Sequence, residues 1–250
     1  MIITLLTDFG TADGYVGEMK GVLFSRAPEC RVVDISHDIG PQDVEQGRLT
    51  LARFWRRFPD GTVHIVVVDP GVGTGRRAIA VASDGRYLVG PDNGVLSPAL
   101  LVAGARVVSL PTPSHASATF HGRDVFAPAG ALLAAGTSLD SLGLSVDDPI
   151  IRRTPEATRL PDGTIAGQVI STDRFGTLVT NLVAPRGGTV EIAGRSVGPL
   201  QRTYSDVASG APLALVGSSG LVEIAVRDGS AARELSAGRG TPVLLRPAHR

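Results

Sequence analysis

The sequence predicts an α/β protein, with an N-terminal three-layer α/β/α domain followed by a smaller C-terminal all-β, barrel-like domain. Three observations carry that prediction. Up to about residue 150, short apolar runs alternate with longer helical patterns, which is how α/β layers read in sequence. After Asp147-Asp148-Pro149 the pattern changes to many short alternating segments, nearly all punctuated by glycine or proline. Between the two, the polar stretch Arg152 to Asp162, with Pro155 and Pro161, reads as a connection. The expected division is therefore a first domain at 1–151, a linker at 152–163 and a second domain at 164–250.

Taken in order, the expected strands of the first domain are Ile2 to Leu6, Arg31 to Asp34, Val63 to Val68, Ile79 to Ser83, Tyr87 to Gly90 and Arg106 to Leu110. Expected helices run near Tyr15 to Ala27, Asp43 to Arg57, Gly94 to Ala103 and Val125 to Ala135, where apolar residues recur at helical spacing. The opening strand lacks the basic start and small-residue cleavage site of a signal peptide. In the second domain the strands are Ile165 to Thr172, Leu178 to Asn181, Thr189 to Ile192, Arg195 to Val197, Leu213 to Val216, Leu221 to Val226 and Thr241 to Leu245.

Composition narrows the function. The 250 residues carry 24 basic and 24 acidic side chains, so the formal net charge is zero and no basic stripe favours nucleic acid. No window approaches the roughly 18 uninterrupted apolar residues of a membrane helix, and a soluble cytoplasmic protein is expected. The single Cys30 permits no intramolecular disulfide and reads as a small core residue.

The most informative stretch is Ile65 to Arg77, in which a β-branched strand ends at Asp69-Pro70-Gly71-Val72-Gly73-Thr74-Gly75-Arg76-Arg77. It sets one carboxylate and two guanidiniums around a glycine loop at the edge where open α/β sheets bind ligands. The first strand likewise ends in Thr7-Asp8-Phe9-Gly10-Thr11-Ala12-Asp13-Gly14. Asp8 can accept from both hydroxyls of a ribose, whereas Asp13 reads equally as a helix cap or a ligand. In Phe120-His121-Gly122-Arg123-Asp124, His121 stands just before an apolar helix and Asp124 can be its cap. Ser36-His37-Asp38 reads as structural, and His64, His115 and His249 rank lower. Pro91-Asp92-Asn93-Gly94 is a corner whose Asp and Asn can simply make the turn.

In the second domain, Asp173 of Asp173-Arg174-Phe175-Gly176-Thr177 can bind an ammonium and Phe175 can stack on a purine, although a plain hairpin explains the glycine as well. Gly217-Ser218-Ser219-Gly220 offers hydroxyls and backbone donors before the strand that carries Glu223.

The ordered set Thr7-Asp8-Phe9-Gly10, Asp69-Pro70-Gly71-Val72-Gly73-Thr74, Pro91-Asp92-Asn93-Gly94, Phe120-His121-Gly122-Arg123-Asp124 and Asp173-Arg174-Phe175-Gly176 resembles the S-adenosylmethionine hydroxide adenosyltransferases, relatives of the nucleophilic fluorinases and chlorinases. The resemblance spans nearly the whole chain. It implies hydrolysis of S-adenosyl-L-methionine to adenosine and L-methionine by in-line attack of a water-derived hydroxide on the ribose 5′ carbon. Methionine leaves as a neutral thioether, so the difficulty lies in the nucleophile, because bulk water has a pKa of about 15.7. The positions matching the family's catalytic set are Asp69, Arg76 and His121, with positioning and desolvation expected to matter more than proton affinity.

By the same resemblance Asp8 matches the ribose carboxylate, Asp13 and Asp173 match groups near the methionine portion, and Phe175 matches an aromatic beside adenine. Thr177 stands where the family often has Asn. Ser218, Ser219, Glu223 and Val226 correspond to the last binding segment. The resemblance implies a homotrimer with its ligand between the first domain of one subunit and the second of its neighbour. No metal and no cofactor are expected, S-adenosyl-L-methionine being the substrate.

Competing readings have distinct signatures. Halogenases resemble the chain but lack the carboxylate at the position of Asp69, which repels an anion. A metal-dependent phosphohydrolase would use Asp8, Asp13, Asp69, Asp124 and His121. A noncatalytic S-adenosylmethionine or nucleotide-binding protein would bind without turnover.

Overall fold

The computed structural model describes residues 1–183 and 187–248, so His249 lies outside the described residues. It divides into two compact units, Met1–Arg153 and Thr154–Arg250.

The first unit is built on β1 (Ile2–Thr7), β2 (Arg31–Ser36), β3 (Val63–Val67), β4 (Ala78–Ser83), β5 (Arg86–Pro91), β6 (Arg106–Leu110) and β7 (Leu144–Ser145), in the sheet order β2-β1-β3-β5-β4-β6-β7. β1 runs parallel to β2 and β3, and β3 to β5, while β4 is antiparallel to both β5 and β6. That reversal comes from the two-residue turn Asp84-Gly85. Both residues have positive φ, the geometry that joins a tight hairpin.

α1 (Tyr15–Arg26) and α4 (Ala127–Ala134) contribute to one apolar core with Ile3, Leu5, Ile65 and Val67. α2 (Val44–Phe54) and α3 (Ser97–Leu100) contribute to a second with Leu6, Val66, Val68 and Val81. β3 is therefore buried on both faces, as a central parallel strand must be. α4 crosses it at Gly130, where any Cβ would collide with Ile65.

Strand β7 was not expected, and three further departures have a local cause. The helix expected at 94–103 shrinks to one turn, because Gly94 takes φ 93° and Pro98 occupies the first turn. The helix expected from Val125 is preceded by a π turn, Gly122–Phe126, in which the Ala127 N–H reaches back to Gly122 O. Pro128 has no N–H with which to continue the ordinary pattern at that point. Within the segment read as linker, β8 (Thr158–Arg159) pairs with the next strand through a turn at Pro161-Asp162-Gly163, where Asp162 accepts from Thr164 N and Gly163 has φ 85°.

In the second unit β9 (Ile165–Thr172), β10 (Leu178–Val183), β11 (Gly188–Ile192), β12 (Arg195–Gln201), β13 (Pro212–Val216), β14 (Leu221–Val226) and β15 (Pro242–Pro247) follow the order β10-β14-β13-β12-β11-β15-β9. β9 also pairs with β10, which closes a seven-stranded barrel around Val169, Leu182, Val190, Val222 and Val243. The sequence reading missed α5 (Ala231–Glu234), a single turn capped by Ser230, whose hydroxyl accepts from Arg233 N. Among the described residues no helix is long and apolar enough to cross a membrane.

Candidate active site

β3 delivers the chain to Asp69, and the loop that follows folds on itself. Val72 N donates to Asp69 O at 3.2 Å, the Thr74 hydroxyl donates to Gly71 O at 2.7 Å, and Arg76 N donates to that hydroxyl at 3.3 Å. Gly73 has φ 76°, and a Cβ there would run into Ala118 O. Glycine thus lets the loop lie against the segment that leads to His121.

That approach joins residues far apart in sequence. Arg76 Nε donates to Asp69 Oδ1 at 2.8 Å and Nη2 donates to Oδ2, a two-pronged pairing, while Nη2 also lies 3.0 Å from His121 Nδ1. The side chains of Asp69 and Arg76 are 5% and 10% exposed, and the guanidinium carbon sits 5.4 Å from the Phe126 ring centre. A guanidinium only donates, so His121 Nδ1 accepts and the neutral ring carries its proton on Nε2. Burial, and then the Arg76 charge, holds the His121 imidazole below its ordinary pKa. Arg76 Nη1 is buried without a hydrogen-bond partner.

Arg77 turns elsewhere, to Asp92 at 2.8 Å and Asp148 at 2.6 Å. The geometry therefore gives Arg76, not its neighbour, to the Asp69 and His121 cluster.

A cavity of about 360 Å³ opens beside this cluster, lined by Asp8, Asp69 and His121 together with Phe9, Tyr15 and Phe120. The three aromatic rings meet edge to face at 5.2–5.9 Å. Asp8 Oδ2 accepts from Gln42 N at 2.8 Å. Burial raises the Asp8 pKa, the Gln42 N–H opposes that, and the nearby Asp69 charge adds to the rise.

Asp13 is exposed and does not cap α1, whose N-cap is Gly14 with φ 79°. Asp124 is no cap either. It lies inside the π turn, paired with Arg123 at 2.7 Å and accepting from Ser117 N at 2.8 Å.

On the second unit, Asp173 Oδ1 accepts from Phe175 N and Thr177 N at 2.9 and 2.8 Å, so its carboxylate organises its own turn. Phe175 is left 79% exposed, while Thr177 is buried. Glu223 is buried on β14 against Gly217, where a Cβ would displace its carboxyl, and Val226 is buried at that strand's end. Ser218 and Ser219 are exposed on the adjoining turn. Burial raises the Tyr204 pKa, and the Glu223 and Asp173 charges add to it, which puts its phenol in the field of both acids. The sequence reading passed over Tyr204 because it lies between strands, outside any motif. Nor does any local pattern show that Phe9, Tyr15 and Phe120 converge.

His37, His64 and Cys30 are structural. His37 Nδ1 is 2.8 Å from the Thr7 hydroxyl and its Nε2 is 3.0 Å from Asp34. His64 Nδ1 is 2.7 Å from the Thr4 hydroxyl, and burial lowers its pKa to about 4. Burial pushes the Cys30 thiol up, away from the reactive thiolate. Among the described residues no group of three or more His, Cys, Asp or Glu is placed to hold a metal ion.

An α/β unit that lines a polar and aromatic cleft with a buried carboxylate and a neutral imidazole, both held by a guanidinium behind them, defines an enzyme acting on a small molecule. The chain belongs to the SAM hydroxide adenosyltransferase family, matching its N-terminal domain over residues 3–143 and its C-terminal domain over residues 167–244. It is 44% identical to the (R)-S-adenosyl-L-methionine hydrolase of Thermus thermophilus, over 97% of this chain and 98% of that protein. It is 31% identical to the fluorinase of Actinopolyspora mzabensis, over 90% of each. The crystal structure of an uncharacterized conserved protein from Thermotoga maritima superposes with a TM-score of 0.89 at 31% identity, covering 99% of this chain and all of that one.

Proposed function

We propose that this protein hydrolyses S-adenosyl-L-methionine, in the R form named for its relatives, to adenosine and L-methionine in the cytoplasm, with Asp69, Arg76 and His121 as its catalytic residues. The observation that carries the reading is the two-pronged Arg76–Asp69 pairing with His121 as third member, beside a cleft that Asp8, Asp69 and His121 line.

In this mechanism Asp69 orients a water molecule and accepts its proton. The water oxygen bonds to the ribose 5′ carbon as the carbon–sulfur bond breaks, and the electron pair of that bond stays on sulfur. Arg76 holds the carboxylate in place. His121, accepting from Arg76 at Nδ1, is left with its Nε2–H as a donor toward the reacting oxygen. The sulfonium charge draws the incoming anion and disappears as the thioether leaves.

Asp8 would take the ribose hydroxyls and Asp13 the methionine end. From the second unit, Asp173, Phe175, Thr177, Ser218, Ser219, Glu223 and Val226 would hold the methionine and adenine portions. We further infer a homotrimer in which each site draws on the first unit of one subunit and the second of its neighbour. The exposed Phe175 supports a binding role that needs a ligand or partner to cover it.

The deciding assay incubates the enzyme with each sulfonium epimer in oxygen-18 water. Labelled adenosine from the R form is expected; unlabelled adenosine, or none from either epimer, would sink the mechanism. Mixing Asp69→Asn with Asp173→Ala subunits tests the shared site, since activity should reappear only if neighbours complete each other.

A further inference from the structure

The reactive loop is gripped at both ends by two consecutive residues outside the catalytic set. At its start, Asn93 Nδ2 donates to Val68 O, the carbonyl just before Asp69, at 2.9 Å. At its end, Asp92 N donates to Arg77 O at 2.9 Å, and Asp92 Oδ2 accepts from Arg77 Nε at 2.8 Å. Asp92 is 2% exposed, and its Oδ1 accepts from Ile150 N at 2.7 Å. Arg77 continues outward, donating to Asp148 Oδ1 and to Asp148 O at 2.6 and 2.8 Å. The charge-assisted Arg77–Asp92 pair, whose carboxylate is 1% exposed, is the stiff part of this set; the Asp148 carboxylate is exposed. That pair stands one peptide bond from Arg76.

We propose that Asp92, with Asn93 and Arg77, forms a staple that sets the mouth of the Asp69–Arg77 loop and thereby positions Arg76 against Asp69 and His121. None of the three reaches the Asp69–Arg76–His121 cluster itself, so these are positioning residues. Asp92 fixes Arg77, Arg77 fixes the backbone at its own Cα, and Arg76 extends from that backbone to the opposite side. Asn93 keeps the other end of the loop from drifting. The corner that read as a simple turn in sequence thus holds the reaction centre together.

Asp92→Asn tests this with little change in shape. Both carboxylate oxygens accept, one from Ile150 N and the other from Arg77, so either orientation of the amide sets an N–H against a donor. Arg77→Lys, which keeps the charge and loses the fork, is the milder second variant.

The first readout is the His121 imidazole, followed by NMR through a pH titration of the full chain. If Arg76 retreats, His121 titrates above its wild-type value, toward an Arg76→Met reference. The second readout is kinetic and rests on the hydrolase reading: kcat should fall about 100-fold with KM nearly constant, and Arg77→Lys should fall less. A folded Asp92→Asn protein with wild-type His121 titration and wild-type kcat overturns the proposal. Should the wild type fail to turn over S-adenosylmethionine, the hydrolase reading falls, and the His121 titration alone decides the staple.

Discussion

The Asp69–Arg77 loop and the Asp173–Thr177 turn are both strand-to-strand connections that begin with aspartate and rely on glycine, yet they spend the carboxylate differently. Asp69 gives both oxygens to Arg76 and is almost wholly buried. Asp173 gives one oxygen to two N–H groups of its own turn and leaves Phe175 in solvent. The first region is organised before any substrate arrives, and it pays for burying a charge with a fixed counter-charge. The second is a locally held turn that leaves an aromatic ring in solvent.

The sharpest way to break this contrast is Asp69→Asn. The amide keeps the shape but turns a donor toward Arg76 and cannot accept a proton, so kcat should fall about a thousandfold. Rapid quench of a single turnover measures it, with circular dichroism as the folding control. A turnover within a few-fold of wild type would remove Asp69 from the chemistry. Arg76→Lys comes next. It preserves charge but replaces a planar fork by a point donor that cannot hold both carboxylate oxygens and His121 together. A loss of about a hundredfold is expected in kcat.

Phe175→Ala probes the other region and should behave oppositely. Base–aromatic stacking contributes about 1–3 kcal/mol, so KM should rise roughly tenfold with kcat little changed. Because the ring is exposed, denaturant unfolding should show a stability change within about 0.5 kcal/mol. A large loss of stability would mean that the ring is structural and the contrast false.

Which parts of this were legible in sequence follows from the range of the forces involved. The Val63–Val67 strand and the glycine loop after it are local facts, written in a β-branched run and its terminator. Asp84-Gly85 and Pro161-Asp162-Gly163 were equally local and equally readable, but the prolines around Thr158 masked the second hairpin as a linker. The π turn before α4 was not readable from periodicity, since it depends on a missing N–H at Pro128. Nor does any local pattern join Arg76 to His121, 45 positions away. The resemblance to a family supplied that pairing. The choice between Arg76 and Arg77 needed the partners themselves, because adjacent residues leaving a loop face opposite ways and only three-dimensional packing shows which side holds Asp92.

The smallest effect expected concerns His121, and it tests whether the first region is set in advance. An imidazole with its ordinary pKa of about 6.5 would be half protonated at that pH and would halve any activity needing the neutral ring. Here burial and the Arg76 charge lower its pKa, so the ring stays mostly neutral at pH 6.5, and kcat should change by less than about twofold between pH 8 and 6.5. The loss belongs below that window. The linkage has the same sign for folding: a histidine whose folded pKa lies under its unfolded value contributes stability above about pH 6.5, and this is lost as pH falls through the folded value. A kcat profile read alongside NMR of the ring checks both. If instead the acid limb begins above pH 7, Arg76 is not beside the imidazole in solution, and the Asp69 loop is no more preorganised than the Asp173 turn.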